Sequence, residues 1–142
     1  MLLGIHPLLR GDVLFAIDQL GHGDTMLIAD ANFPAHRISS TVIDIPGVDA
    51  PTVLQAVLTV FPLDAYGGAA MTLMSAKGDE VAGPQAADPM IAAFAKASND
   101  REVFMVERSK YYLEAAHVGF IIRTGELRPY ANVILRKGVV ND

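Results

Sequence analysis

The stretch Gly21-His22-Gly23-Asp24-Thr25-Met26-Leu27-Ile28-Ala29-Asp30, continued by Ala31-Asn32-Phe33-Pro34-Ala35-His36-Arg37, constrains this chain more than any other. Its apolar run, Met26 to Ala29, is closed by Asp30 with Pro34 close behind, so it reads as a short buried strand between two loops. The glycines beside His22 permit backbone angles other residues avoid and let a ligand approach the main chain. If Gly21 to Asp24 is extended, His22 and Asp24 point to one side, and the carboxylate would orient the imidazole. Taken singly, each residue has an ordinary structural reading: His22 in a turn, Asp30 as the end of a strand.

The remaining pattern alternates helices and strands. Asp12 opens a helical spacing through Val13, Ile17 and Leu20, with Asp12 as N-cap and Gly21 as the closing glycine. Thr41 to Ile45 alternates like a strand and ends at Pro46-Gly47. Asp49 or Thr52 caps a helix carrying Val53, Leu54, Val57, Leu58 and Phe61, with Pro51 in its first turn and Pro62 at its end. Gly67-Gly68 marks a turn and lacks the further glycines of a dinucleotide fingerprint. A strand is expected within Ala69 to Ala76, a surface loop over 77–87, and a helix that starts at Asp88-Pro89, runs through Ile91, Phe94 and Ala95 and is broken by Asn99-Asp100. Glu102 to Glu107 then forms a strand that delivers Arg108, and Ser109 caps a helix containing Tyr111, Tyr112 and Ala115. Strands over Val118 to Arg123 and Val133 to Leu135 complete the chain.

This order predicts a single α/β domain over residues 1–142, a three-layer α/β/α sandwich with a central, largely parallel sheet. Functional groups in such sheets gather beyond the strand ends, where His22, Asp30 and Arg108 fall.

Composition narrows the partners. A net charge of −5 gives no basic face for a phosphate backbone, so no nucleic acid is expected. No stretch is long and apolar enough to span a membrane, and the start lacks the basic flank of a secretory signal, so a soluble cytoplasmic protein is expected. Without cysteine there is no disulfide, thiolate metal site or thiol nucleophile. The four histidines, His6, His22, His36 and His117, lack the spacing of a helical zinc pair, so no metal is expected. Apolar residues make up 51% of the chain, a surplus that a subunit interface would absorb.

Two blocks in order carry a resemblance. His22 in Gly-His-Gly-Asp, followed by Ile28-Ala29-Asp30-Ala31-Asn32-Phe33-Pro34-Ala35, resembles the opening motif of the fucose mutarotase and ribose pyranase family. Ile121-Ile122-Arg123-Thr124-Gly125-Glu126 and Pro129-Tyr130-Ala131-Asn132-Val133-Ile134-Leu135-Arg136-Lys137-Gly138-Val139 resemble its closing segment. Asn32 to His36 and Leu135 to Val139 lean toward the fucose branch. Thr25, Arg123 to Glu126 and Pro129 to Asn132 look more like ribose pyranases. Ser109 and Lys110 depart from the usual aromatic and small pair, while Tyr112 keeps an aromatic position.

The resemblance implies a cofactor-independent isomerase that opens and recloses the ring of a free monosaccharide, as an L-fucose mutarotase or, in the alternative, a D-ribose pyranase. A neutral imidazole can give or take a proton near physiological pH, so His22 is the expected acid/base group, with Tyr130 its partner. Asp30, Arg108, Tyr130 and Asn132 would bind sugar hydroxyls, with Asp24 and Tyr112 in support. The resemblance also implies a ring-shaped homo-oligomer, a decamer, with each pocket completed by a neighbour. A non-catalytic sugar-binding partner of a transporter or kinase is the reading from another class. It would gain little from a paired acid and base.

Overall fold

The computed structural model describes residues 1–75, 92 and 103–141. The expected loop over 77–87 lies outside the described residues, as does the helix begun at Asp88-Pro89 apart from Ala92, which is helical. The six strands are β1 Thr25–Ala29, β2 Val42–Ile45, β3 Met71–Met74, β4 Val103–Val106, β5 Phe120–Thr124 and β6 Val133–Arg136. They form one sheet in the order β2-β5-β1-β6-β3-β4. β1 pairs parallel with β5, β5 with β2, and β3 with β4, whereas β6 runs antiparallel to both β1 and β3. Five strands therefore share one direction and β6 alone opposes them, which agrees with a largely parallel sheet.

The central strands are continuous apolar runs because both faces are covered. Met26 and Ile28 of β1 join Phe120 and Ile122 of β5 on one face, packed against helices α1 (Gly11–Gln19) and α3 (Ala50–Leu58) through Val13, Ile17, Val53 and Leu54. Leu27, Ile121 and Ile134 point the other way, against α2 (Ala35–Ile38) and α4 (Arg108–Ala115) through Ala35, Tyr111 and Ala115. Each buried Leu, Ile or Phe on these faces contributes roughly 1.5–3 kcal/mol of transfer free energy. Among the described residues no helix is long and apolar enough to cross a membrane.

Helix termini follow the sequence in part. Asp49 caps α3 as expected, its Oδ1 accepting the Thr52 amide at 2.9 Å. The other capping expectations are corrected. Arg10 holds the N-cap position of α1, and Asp12 lies inside the first turn, where its carboxylate accepts the Arg10 guanidinium at 2.7 Å. Leu20, extended, ends that helix in place of Gly21, its amide donating to the Ile17 carbonyl at 3.2 Å, and Lys137 Nζ donates to the Ile17 and Leu20 carbonyls at 2.8 and 2.6 Å. Glu107 precedes α4, so Ser109 sits within its first turn and donates to Glu107 Oε1 at 2.8 Å. The long-range lysine that closes α1 leaves no local trace in the sequence.

Candidate functional site

A cavity of about 410 Å³ opens at the carboxyl edge of the parallel strands. Asp30 follows β1, Met74 ends β3, Arg108 opens α4 just beyond β4, and Tyr130 and Asn132 precede β6, whose reversed direction brings its start to the same edge. Four separate segments thus converge where ligands gather in open α/β sheets.

At the deepest point Asp30 and Asn132 hold each other. Asn132 Oδ1 accepts the Asp30 amide and Asn132 Nδ2 donates to Asp30 Oδ2, both at 2.9 Å, which fixes the orientation of the amide. The Asn32 amide donates to Asp30 Oδ1 at 2.9 Å. Burial pushes the Asp30 carboxyl above its ordinary range, against the pull of Asn132 and the Asn32 and Phe33 amides. A carboxylate offers about four acceptor positions and a side-chain amide two donors, so both groups retain capacity for ligand hydroxyls.

Tyr130 stands beside this pair with φ +63°, the one non-glycine residue in the left-handed region among those described. Its carbonyl accepts the Asn132 amide at 2.8 Å, so the tight bend that turns Tyr130 also sets Asn132. A tyrosine held in this region at a cavity wall is a sign of a functional constraint.

The opposite wall is aromatic and cationic. Phe33 and Tyr112 stack with ring centroids 5.3 Å apart and planes 3° from parallel, and Arg108 lies 5.3 Å from the Tyr112 ring on a cation–π contact. Among the described residues no carboxylate pairs with Arg108, which lines the cavity.

His22 lies elsewhere. It precedes β1, at the amino edge of the sheet, with the length of the strand between it and Asp30. The local geometry also corrects the expected carboxylate partner. Gly21 to Asp24 is a turn, with Gly23 at φ +86°, and Asp24 Oδ2 accepts the Gly21 amide at 2.7 Å. His22 Nε2 instead meets Asp64 Oδ1 at 3.1 Å, with Tyr66 edge-on at 6.0 Å between ring centroids. The Tyr66 amide and then His22 hold the Asp64 carboxyl below its usual range. An ionised carboxylate only accepts, so the proton of the neutral ring sits on Nε2 and the lone pair on Nδ1.

The structure therefore brings Asp30, Arg108, Tyr112, Tyr130 and Asn132 together and leaves His22 and Asp24 at the other edge of the same chain. His36 turns away to Asp44 at 2.9 Å, a carboxylate that Arg123 also holds at 2.7 Å. Sequence reasoning missed Asp64, which is 42 residues from His22 and shares no motif with it. It also missed Met74 and Leu127, apolar lining residues that nothing distinguishes from core. Among the described residues no cluster of three or more His, Cys, Asp or Glu could hold a metal ion.

Comparison with known proteins gives a consistent answer. Residues 3–140 match the RbsD / FucU transport protein family. An L-fucose mutarotase of Actinobacillus pleuropneumoniae is 36% identical over 140 residues, covering 98% of this chain and 97% of that one. The crystal structure of FucU from Bifidobacterium longum superposes with a TM-score of 0.88 at 36% identity, over 97% of this chain and 99% of that chain. The fucose mutarotase of Streptococcus pneumoniae, solved in complex with L-fucose, gives a TM-score of 0.85 at 28% identity, over 99% of this chain and 100% of that chain. The match runs through both edges of the sheet and the whole cavity, and the chain belongs to the RbsD / FucU family.

Proposed function

We propose that this chain is a mutarotase that exchanges the anomers of L-fucose or a similar free monosaccharide. The observation that carries this reading is the mutually bonded Asp30 and Asn132 pair at the base of a cavity walled by Tyr130 and Arg108. Carboxylate, amide and guanidinium together supply the mixed acceptors and donors that a ring of hydroxyls requires. The relatives named L-fucose mutarotase, and the relative solved with L-fucose, support the same substrate.

Anomer exchange needs paired proton transfers. The anomeric hydroxyl loses its proton as the bond between C1 and the ring oxygen breaks, and the ring oxygen gains one. The resulting carbonyl turns about the C1–C2 bond, and closure on its other face reverses both transfers. No electrons are gained or lost and no co-reactant is consumed. Tyr130 serves as one acid/base group, while Asp30, Asn132 and Arg108 hold hydroxyls. The second acid/base group is His22 of a neighbouring copy, brought to the cavity in a ring-shaped homo-oligomer, a decamer. Each positioned group contributes about 10²–10⁴-fold. The enzyme is read as cytoplasmic, as expected for a metabolic isomerase acting on a free monosaccharide.

Arg123 to Glu126 and Pro129 to Asn132 favour a second reading, a D-ribose pyranase that exchanges six- and five-membered rings by the same transfers. NMR saturation exchange on free sugars tests both. Fast anomer exchange with fucose and not ribose supports the first, and fast pyranose to furanose exchange supports the second. Calorimetric sugar binding with exchange no faster than in buffer would replace both with a non-catalytic binding role. Loss of exchange in His22→Ala is expected, and retention would refute the role of His22.

A further inference from the structure

Leu127, Pro129, Tyr130 and Asn132 form one side of the cavity, in a segment between β5 and β6 that is itself neither helix nor strand. At its start this segment is anchored by Glu126, whose residue surface is only 4% exposed. The Glu126 carboxylate accepts the Arg128 backbone amide at 2.9 Å, Arg128 Nε at 2.8 Å and Arg128 Nη2 at 2.6 Å. The Ala50 amide, at the start of α3, reaches its Oε2 at 3.4 Å.

The Glu126 main chain is tied as firmly. Its carbonyl accepts the Ala31 amide at 2.9 Å, and its own amide donates to Thr124 Oγ1 at 3.2 Å. Thr124 in turn donates to the Ala29 carbonyl at 2.9 Å. Gly125 passes so close to the loop after β2 that a Cβ there would lie 2.5 Å from the Gly47 nitrogen. Glu126 thus joins the loops that follow β1, β2 and β5. The guanidinium fork, with two parallel bonds to one carboxylate, then fixes the course of the chain at Arg128. Pro129 restricts the next φ, and the following residue is Tyr130 in its left-handed conformation. A backbone in that region persists where its surroundings over-determine it.

We propose that Glu126 and Arg128 form a positioning clamp that holds Tyr130 in its left-handed conformation against the cavity. Its catalytic consequence rests on the mutarotase reading, while its effect on the segment is read without any sugar. Neither residue is among those that line the cavity. They act through Tyr130, with Arg128 exposed enough on its outer side for substitution to be tolerated.

Arg128→Gln removes the fork and Arg128→Lys keeps the charge without it. Amide hydrogen exchange on the full chain is expected to accelerate at positions 128 and 132 in Arg128→Gln by roughly tenfold or more beyond the change in β1 and β5, which reports the loss of global stability. Arg128→Lys should fall between that variant and the wild type. For fucose exchange, kcat should fall roughly tenfold to a hundredfold in Arg128→Gln, while KM changes by less than about threefold because Asp30 and Asn132 remain paired. Unchanged amide exchange at 128 and 132 would overturn the clamp, as would a raised KM with kcat intact. If the wild type accelerates no sugar exchange, the mutarotase reading fails and the amide rates still decide the clamp.

Discussion

His22 and Asp30 stand beyond opposite ends of β1, whose five residues span about 17 Å at 3.3 Å per residue. Both belong to one continuous motif, so if both act on one sugar the site must be shared between copies. A head-to-tail contact that closes into a ring supplies that geometry, since it sets the amino edge of one sheet against the carboxyl edge of the next. His22→Ala and Tyr130→Phe are each expected to abolish exchange. Mixed in equal amounts and reassembled, the two variants should regain roughly a quarter of wild-type activity, the share of interfaces that combine an intact His22 with an intact Tyr130. No recovery in oligomers shown to have mixed would refute the shared site.

Asn132 bonds Asp30 at both its amide and its carboxylate. Asn132→Ala leaves a buried carboxylate and a buried amide without these partners and should destabilise the chain by about 2–3 kcal/mol. Asn132→Asp adds a second carboxylate beside the first and should cost at least as much at neutral pH, with recovery on mild acidification as one of the two protonates. Denaturant unfolding of both variants checks this. Equal stability of Asn132→Ala and wild type would show that the pair contributes nothing to the fold.

Asp64 fixes which nitrogen of His22 carries the proton. Asp64→Asn can present either its oxygen or its nitrogen to Nε2, so the imidazole loses a defined tautomer. The ¹⁵N shifts of His22 should move from a predominantly Nε2–H ring toward a mixture, and kcat for sugar exchange should fall on the order of tenfold or more. A merely structural Asp64 would leave the ring nitrogens as they are while lowering the unfolding midpoint.

The sheet was legible because its strands are short apolar runs bounded by turn residues, and Ile28 or Ile122 can be placed in a core from the run alone. The Asp49 cap was legible because its bond reaches only to Thr52. Legibility ended where a bond spans the chain. Lys137 closing α1, Asp64 meeting His22 and Glu126 reaching Ala50 each join residues far apart in sequence, and propensity carries no information about such partners. Asp24 is the instructive error. Alternation along an extended segment put it beside His22, whereas Gly23, free to take a positive φ, folds the segment into a turn and sends the carboxylate back to Gly21.

Arg108 lies over the Tyr112 ring while Tyr112 stacks on Phe33, so a planar cation completes an aromatic wall. Arg108→Lys keeps the charge but loses the flat face and the fork of donors. KM for the sugar should rise several-fold, about 1 kcal/mol of binding, with a smaller change in kcat. Tyr112→Leu should mimic the loss in part by removing the surface against which the guanidinium lies. Unchanged KM in both variants would remove this wall from the binding site.

Acid stability follows from the same buried carboxylate that supports the cavity segment. Arg128 holds Glu126 down from 4.5 to about 2. Folding thus favours its ionised form, and the contribution is complete above the unfolded value and lost as pH falls from about 4.5 toward 2. After allowance for the solvent around the outer side of Arg128, that contribution is on the order of 2 kcal/mol. Asp12, Asp44 and Asp64, also held below their usual range, act in the same direction. Asp30, pushed up by burial, acts oppositely, because the fold favours its protonated form and acidification relieves the cost of burying its charge. The depressed groups outnumber it, so the urea midpoint should fall between about pH 6 and about pH 3. In Glu126→Gln the fall should be shallower, since the group that titrates most strongly in that window is gone. An identical pH slope in wild type and Glu126→Gln would show that Glu126 is not ionised preferentially in the folded chain.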